Sequence, residues 1–188
     1  MNVSDLRRPT ELAKLFLKGN IKNGDIVVDA TMGNGNDTLF LSELVGNKGK
    51  VFSFDIQEIA ILSTKKLLEN NNVNNVELIQ KGHENIGEYI SEEIAAIMFN
   101  LGYLPKGDHT ISTKAETTIT AIEKGLKLLK KDGIITVIIY YGHEEGQIEK
   151  EKLLKYFETL DSKKFHVMKS DYINQLKQPP ILITIIKK

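Results

Sequence analysis

Asp29-Ala30-Thr31-Met32-Gly33-Asn34-Gly35-Asn36-Asp37 is a turn with two glycines and a carboxylate at each end. Glycines one residue apart let the backbone turn sharply and come close to a ligand at a helix N-terminus. The dinucleotide fingerprint asks for a third glycine three places further on, where this chain has Thr38. A pyrophosphate seated here would face Asp29 and Asp37, each repelling it by about 1 kcal/mol at ~4 Å even in water. A ligand with an ammonium and a carboxylate but no phosphate suits the turn better, although Asp37 also suits a helix cap. Asp55 closes the next apolar run, about 20 residues beyond Gly35, where an acid accepts both hydroxyls of a ribose. Gln57 follows it and can lie along a nucleoside, and Gly82-His83-Glu84 comes after the third run, where a base would sit.

These residues need strand ends to hold them. Short β-branched runs at Ile26–Ala30, Lys50–Asp55, Val76–Gln80, Ile94–Asn100, Ile134–Tyr140, His166–Asp171 and Ile181–Ile186 read as seven strands. The first five are nearly continuous in apolar residues, as a parallel sheet covered on both faces requires. Helical spacing is expected over Thr38–Val45, with Leu39, Leu41 and Leu44, and over Ile59–Asn70, with Ile59, Leu62, Leu67 and Leu68. It is clearest from Ser112 to Lys130, where Ala115, Ile119, Ile122, Leu126 and Leu129 share one face and Gly133 makes a stop. Glu144–Thr159 forms a further helix. Such alternation builds right-handed βαβ units in a doubly wound sheet. The last two strands have no helix between them and pair antiparallel. One α/β domain spans residues 1–188, with a seven-stranded, mostly parallel sheet, an antiparallel last strand and helices on both faces. That is the outline of a Rossmann-like class I methyltransferase.

Composition bounds the alternatives. The 188 residues suit one domain, and 41% apolar residues supply a core. There is no Cys, so disulfides and thiolate metal sites are excluded, and no metal site is expected. Lys plus Arg (25) equals Asp plus Glu (25), so bulk charge announces no nucleic acid. Basic pairs at Arg7-Arg8, Lys65-Lys66, Lys130-Lys131 and Lys163-Lys164 leave local patches open. The start carries no signal-peptide core, and no apolar run reaches the roughly 20 residues of a membrane span. A soluble cytoplasmic protein without membrane partners is expected.

The fourth strand ends Asn100-Leu101-Gly102-Tyr103, beyond the carboxyl edge where open α/β sheets bind ligands. S-adenosyl-L-methionine fits the acidic turn: it has an ammonium, a carboxylate and a sulfonium, and no phosphate. Met32, Gly33, Asn34, Gly35, Asn36 and Asp37, together with Asp29, Asp55, Gln57, His83, Asn100, Leu101 and Gly102, form its expected shell. Amino-group methyltransferases carry an Asn/Asp-Pro-Pro-Tyr/Phe motif at this strand end, and Asn100–Tyr103 resembles it with the prolines lost. An alkyl amine must shed a proton before attack. Asp108, His109 and His143 are candidate bases, while Tyr103, Tyr140, Tyr141 and Tyr172 could stack on a base.

The runs Asp29–Thr38, Asp55-Ile56-Gln57, Asn100–Asp108 and Tyr141–Gly146, with the closing Ile173–Pro180, resemble a bacterial family labelled rRNA methylase. Its members are similar to MnmM-type tRNA 5-(aminomethyl)-2-thiouridine methyltransferases, and the likeness spans essentially the whole chain. It implies methylation of the aminomethyl nitrogen of a tRNA wobble uridine in the anticodon stem-loop, by a homodimer. It places Asp29, Gly33, Asn34, Asp37, Asp55, Gln57, His83 and Asn100 around the cofactor, and Tyr103, Asp108, Tyr141 and His143 on the substrate side. Relatives often carry His where this chain has Tyr141. Three rivals stay open: the same cofactor with rRNA, a small amine or a protein as acceptor; an NAD(P)-linked oxidoreductase; and an RNA-binding module without catalysis.

Overall fold

The computed structural model describes residues 6–104, 112–175 and 178–188. Its strands are β1 (Ile26–Asp29), β2 (Lys50–Phe54), β3 (Val76–Ile79), β4 (Ile94–Leu101), β5 (Leu129–Ile139), β6 (Phe165–Ser170) and β7 (Ile181–Lys187). The helices are α1 (Pro9–Asn20), α2 (Asn36–Val45), α3 (Glu58–Asn70), α4 (Ile86–Tyr89), α5 (Ala115–Leu128) and α6 (Glu144–Glu158). The sheet runs β3-β2-β1-β4-β5-β7-β6. The first five strands are parallel, and β7 lies antiparallel between β5 and β6. Chain order reverses direction between β1 and β4, and their carboxyl ends part into a crevice there.

Strand alternation splits the core into two layers. Val27, Ala96, Met98, Ile134 and Ile138 pack with Ala13 and Leu17 of α1 and Leu41 and Val45 of α2. Val28, Ile97, Phe99, Ile135 and Val137 pack on the other face with Ile122 and Leu126 of α5 and Leu153 and Phe157 of α6. Helices thus cover both faces.

Four details differ from the sequence reading. Helix α1 was not expected, although Pro9 at its first turn and the Leu12-Ala13, Phe16-Leu17 spacing are helical signals. In α3 the buried side chains are Ala60, Thr64 and Leu68, while Ile59 and Leu62 are exposed. Of the expected stripe only Leu68 is buried. Helix α5 starts at Ala115, because Ser112 bridges to Tyr103 as extended backbone. It stops at Leu128, because buried Leu129 pairs with Ile94 at the start of β5. Asp132 then takes φ 61° and the register jumps to Ala96–Ile134, so Lys130-Lys131 lie in a bulge rather than a helix end. Finally, β7 is buried from Ile181 to Ile185, whereas edge strand β3 is only half covered.

Candidate active site

The crevice over β1 and β4 opens into a cleft of about 780 Å³. One wall is the β1–α2 turn. Gly35 caps α2 with φ 82°, and an added Cβ would lie 2.7 Å from Thr64 Oγ1, so only glycine serves there. Met32, Gly33, Asn34, Asn36 and Asp37 line the cleft; Gly35 does not, being turned toward α3.

Asp29 is the main correction. It is fully buried and lines no part of the cleft. Its carboxyl accepts Thr31 N–H at 3.1 Å and Thr38 Oγ1–H at 2.6 Å, and Thr38 continues to Ser53 Oγ at 2.8 Å. Burial, reinforced by Asp37, pushes its pKa up to about 7. The side chain at the end of β1 points into the α2 layer and braces the turn from behind.

Among the described residues, Asp55, Asp37 and Glu84 are the acids that line the cleft. Asp55 follows β2, and its two oxygens accept Gly33 N–H at 3.0 Å and Gln57 N–H at 2.9 Å. Each oxygen keeps a free lone pair for a hydroxyl. Asp37 lies in the first turn of α2, where Gly35 is the N-cap. It pairs with Lys14 of α1 at 2.9 Å, while Asn100 Nδ2 donates to its other oxygen at 3.4 Å. This contact orients the Asn100 amide, whose Oδ1 is buried with no partner among the described residues. Asn100 N–H donates to Thr31 Oγ1 at 2.7 Å. A buried oxygen left open at a cleft wall can take a donor from outside the chain.

His83 begins a 3-10 turn, Gln57 follows Asp55, and both line the cleft. Burial lowers the His83 pKa, and its Nδ1 donates to Ala30 O at 3.0 Å. The ring is neutral and held. On the opposite rim lie Leu101, Gly102, Tyr103, Tyr140 and His143. The Tyr103 and His143 rings meet edge-on at 5.9 Å. Tyr141 is absent from the cleft lining; its ring lies under Lys150 Nζ at 3.8 Å. Tyr172 is remote from it, donating to Leu6 O at 2.5 Å. Asp108 and His109 fall outside the described residues. Thr31, Lys81, Ser112, Thr113, Lys114 and Thr117 line the cleft too and carried no sequence signal. Lys14 was hidden with α1; its only cue was a cation on an amphipathic helix.

A doubly wound sheet with an antiparallel seventh strand, and an acid beside a prepared amide at its switch point, define a class I S-adenosylmethionine-dependent methyltransferase. Within that class the chain belongs to the family described as "Putative rRNA methylase", which matches residues 51–186. It is 34% identical over 193 residues to a chloroplastic tRNA (mnm(5)s(2)U34)-methyltransferase of Arabidopsis thaliana, covering 97% of this chain and 70% of that one. A "putative rRNA-methylase" crystal structure from Clostridium thermocellum superposes with TM-score 0.96 at 51% identity, covering 97% and 98% of the two chains. A methyltransferase structure from Streptococcus mutans in complex with SAH has TM-score 0.89 and 43% identity, over 97% and 99%. The methyl donor is therefore S-adenosylmethionine, and Asp55 fits it, with carboxylate lone pairs left for ribose hydroxyls. Among the described residues, no helix is long and apolar enough to cross a membrane.

Proposed function

We propose that this enzyme methylates the aminomethyl nitrogen of 5-aminomethyl-2-thiouridine at the tRNA wobble position, giving 5-methylaminomethyl-2-thiouridine. The observation that carries the reading is the Asn100 amide, set by Asp37 with its buried Oδ1 left open. Identity to the Arabidopsis enzyme along 97% of the chain supports the choice of acceptor.

Bound in the cleft, S-adenosylmethionine supplies a methyl group activated by a sulfonium leaving group. Asp55 would accept the ribose hydroxyls with its remaining lone pairs, beside Gln57. The turn Met32–Asp37 would wrap the amino-acid end, and His83 would lie toward the base. Asn100 Oδ1 would accept one N–H of the incoming amine and aim the nitrogen lone pair. Tyr103 and Tyr140, both partly exposed on the rim, offer faces to an unstacked uridine. An amine of this kind, with a pKa of about 8 to 10, must arrive neutral or lose its proton at the rim, where His143 stands. The same reading has the protein act on the anticodon stem-loop as a cytoplasmic homodimer, which light scattering and cell fractionation test.

The decisive experiment incubates the enzyme and S-adenosylmethionine with tRNA bearing or lacking the aminomethyl group, followed by nucleoside mass spectrometry. One methyl should appear on the thiouridine nucleoside of the first tRNA only. Methylation of another nucleoside, or of rRNA alone, overturns the reading.

A further inference from the structure

Behind the cleft, a line of polar groups joins the end of β4 to the end of β1. Gly102 N–H donates to Thr113 Oγ1 at 3.0 Å, and Thr113 Oγ1–H donates to Glu149 Oε2 at 3.0 Å. Glu149 Oε1 lies 3.5 Å from Thr118 Oγ1, and Thr118 Oγ1 lies 3.4 Å from His83 Nε2. His83 Nδ1 closes the line on Ala30 O at 3.0 Å. Thr118, His83 and Glu149 are all buried, and Glu149 does not line the cleft.

Counting protons gives the line a direction. A carbonyl only accepts, so the neutral His83 ring carries its proton on Nδ1, and Nε2 must accept. Thr118 can donate to only one of its two neighbours, and the nearer one, Nε2 at 3.4 Å against 3.5 Å for Glu149 Oε1, has no other donor among the described residues, so the single hydroxyl proton goes to that nitrogen. None is left for Glu149 Oε1, and Thr113 has spent its own on Oε2. An ionised Glu149 would then press a carboxylate oxygen against the Thr118 lone pairs in a dry interior, which is costly.

We infer that Glu149 is held as a neutral carboxylic acid, donating from Oε1 to Thr118 and accepting from Thr113, and that it is the positioning residue for the Asn100–Tyr103 strand end. Burial acts the same way, raising the Glu149 pKa to about 7 against the pull of the Thr113 hydroxyl, with Glu116 adding to the rise. The charged groups around it are spoken for. Glu116 of α5 pairs with Lys152 at 2.5 Å, Glu145 of α6 accepts Ser112 Oγ–H at 3.0 Å, and Lys150 lies over Tyr141. Thr113 is what Glu149 steers. It grips Gly102 twice, through its hydroxyl and through its own N–H to Gly102 O at 3.1 Å, where the backbone takes φ 138°. The inference rests on the methyltransferase class alone and holds for any acceptor.

Glu149→Gln copies the neutral acid, with an amide N–H for Thr118 and a carbonyl for Thr113, whereas Glu149→Ala removes both. A carboxyl whose folded pKa is raised stabilises below its unfolded pKa and loses that stability as pH climbs toward about 7. The Tm of the full-length Gln variant should therefore gain on wild type between about pH 5 and pH 8. On whichever RNA wild type methylates, the Gln variant should keep kcat within about twofold at pH 6, and its kcat relative to wild type should rise with pH. The Ala variant should lose at least about tenfold in kcat at every pH, with the KM for S-adenosylmethionine changed less. A Tm deficit of the Gln variant that widens with pH, or a Gln variant as slow as the Ala variant, overturns the inference. If wild type methylates no tRNA, the proposed acceptor fails and the Tm comparison still decides the proton on Glu149.

Discussion

Asp55 offers the sharpest test of how the cofactor is held. Its carboxylate has about four lone-pair sites, and Gly33 N–H and Gln57 N–H occupy two, at 3.0 and 2.9 Å. The remaining two match the two hydroxyls of a ribose. A hydrogen bond to a charged group contributes about 1.5–3 kcal/mol. Because Asp55 is half-buried at a cleft mouth, the lower figure applies to each. Asp55→Ala should then weaken S-adenosylhomocysteine binding by about 3 kcal/mol, roughly a hundredfold in Kd. Asp55→Asn keeps one acceptor oxygen and should lose about tenfold. Isothermal titration calorimetry with the unreactive product reads both values, and RNA anisotropy on the same samples should change little. A folded Ala variant whose Kd moves less than about threefold, or whose RNA affinity falls as far as its cofactor affinity, refutes the assignment.

Asn100→Ala should cut turnover by about tenfold to a hundredfold, the effect of one transition-state hydrogen bond, while RNA affinity is spared; single-turnover methyl transfer checks it, and unchanged turnover removes Asn100 from the reacting centre. Asp29→Asn imitates the protonated acid. Since the folded pKa of Asp29 is raised from 3.8 to about 7, wild type gives up stability as pH rises across that window, and Asn does not. The variant should therefore gain on wild type by up to about 4 kcal/mol between pH 4 and pH 8 in urea melts; a gap independent of pH would show that folding does not raise the Asp29 pKa.

The architecture was legible because it is written in local periodicity. β-Branched runs, the glycine turn and the Pro179-Pro180 connection mark strands and their ends without knowledge of their neighbours. Strand ends in turn locate Asp55 and Asn100, since open α/β sheets bind ligands at one edge. The facing of individual side chains was not local. Asp29 and Asp55 both stand at strand ends beside the same turn, yet one is enclosed by Thr38 and Ser53 while the other opens on the cleft. Lys14 reaches Asp37 only because α1 folds back onto the sheet beside α2. Glu149 meets Thr113 and Thr118 only because α6 packs against α5, 31 to 36 residues away along the chain. Contacts of that kind depend on which layers are pressed together, and neither spacing nor residue type encodes them over so long a separation.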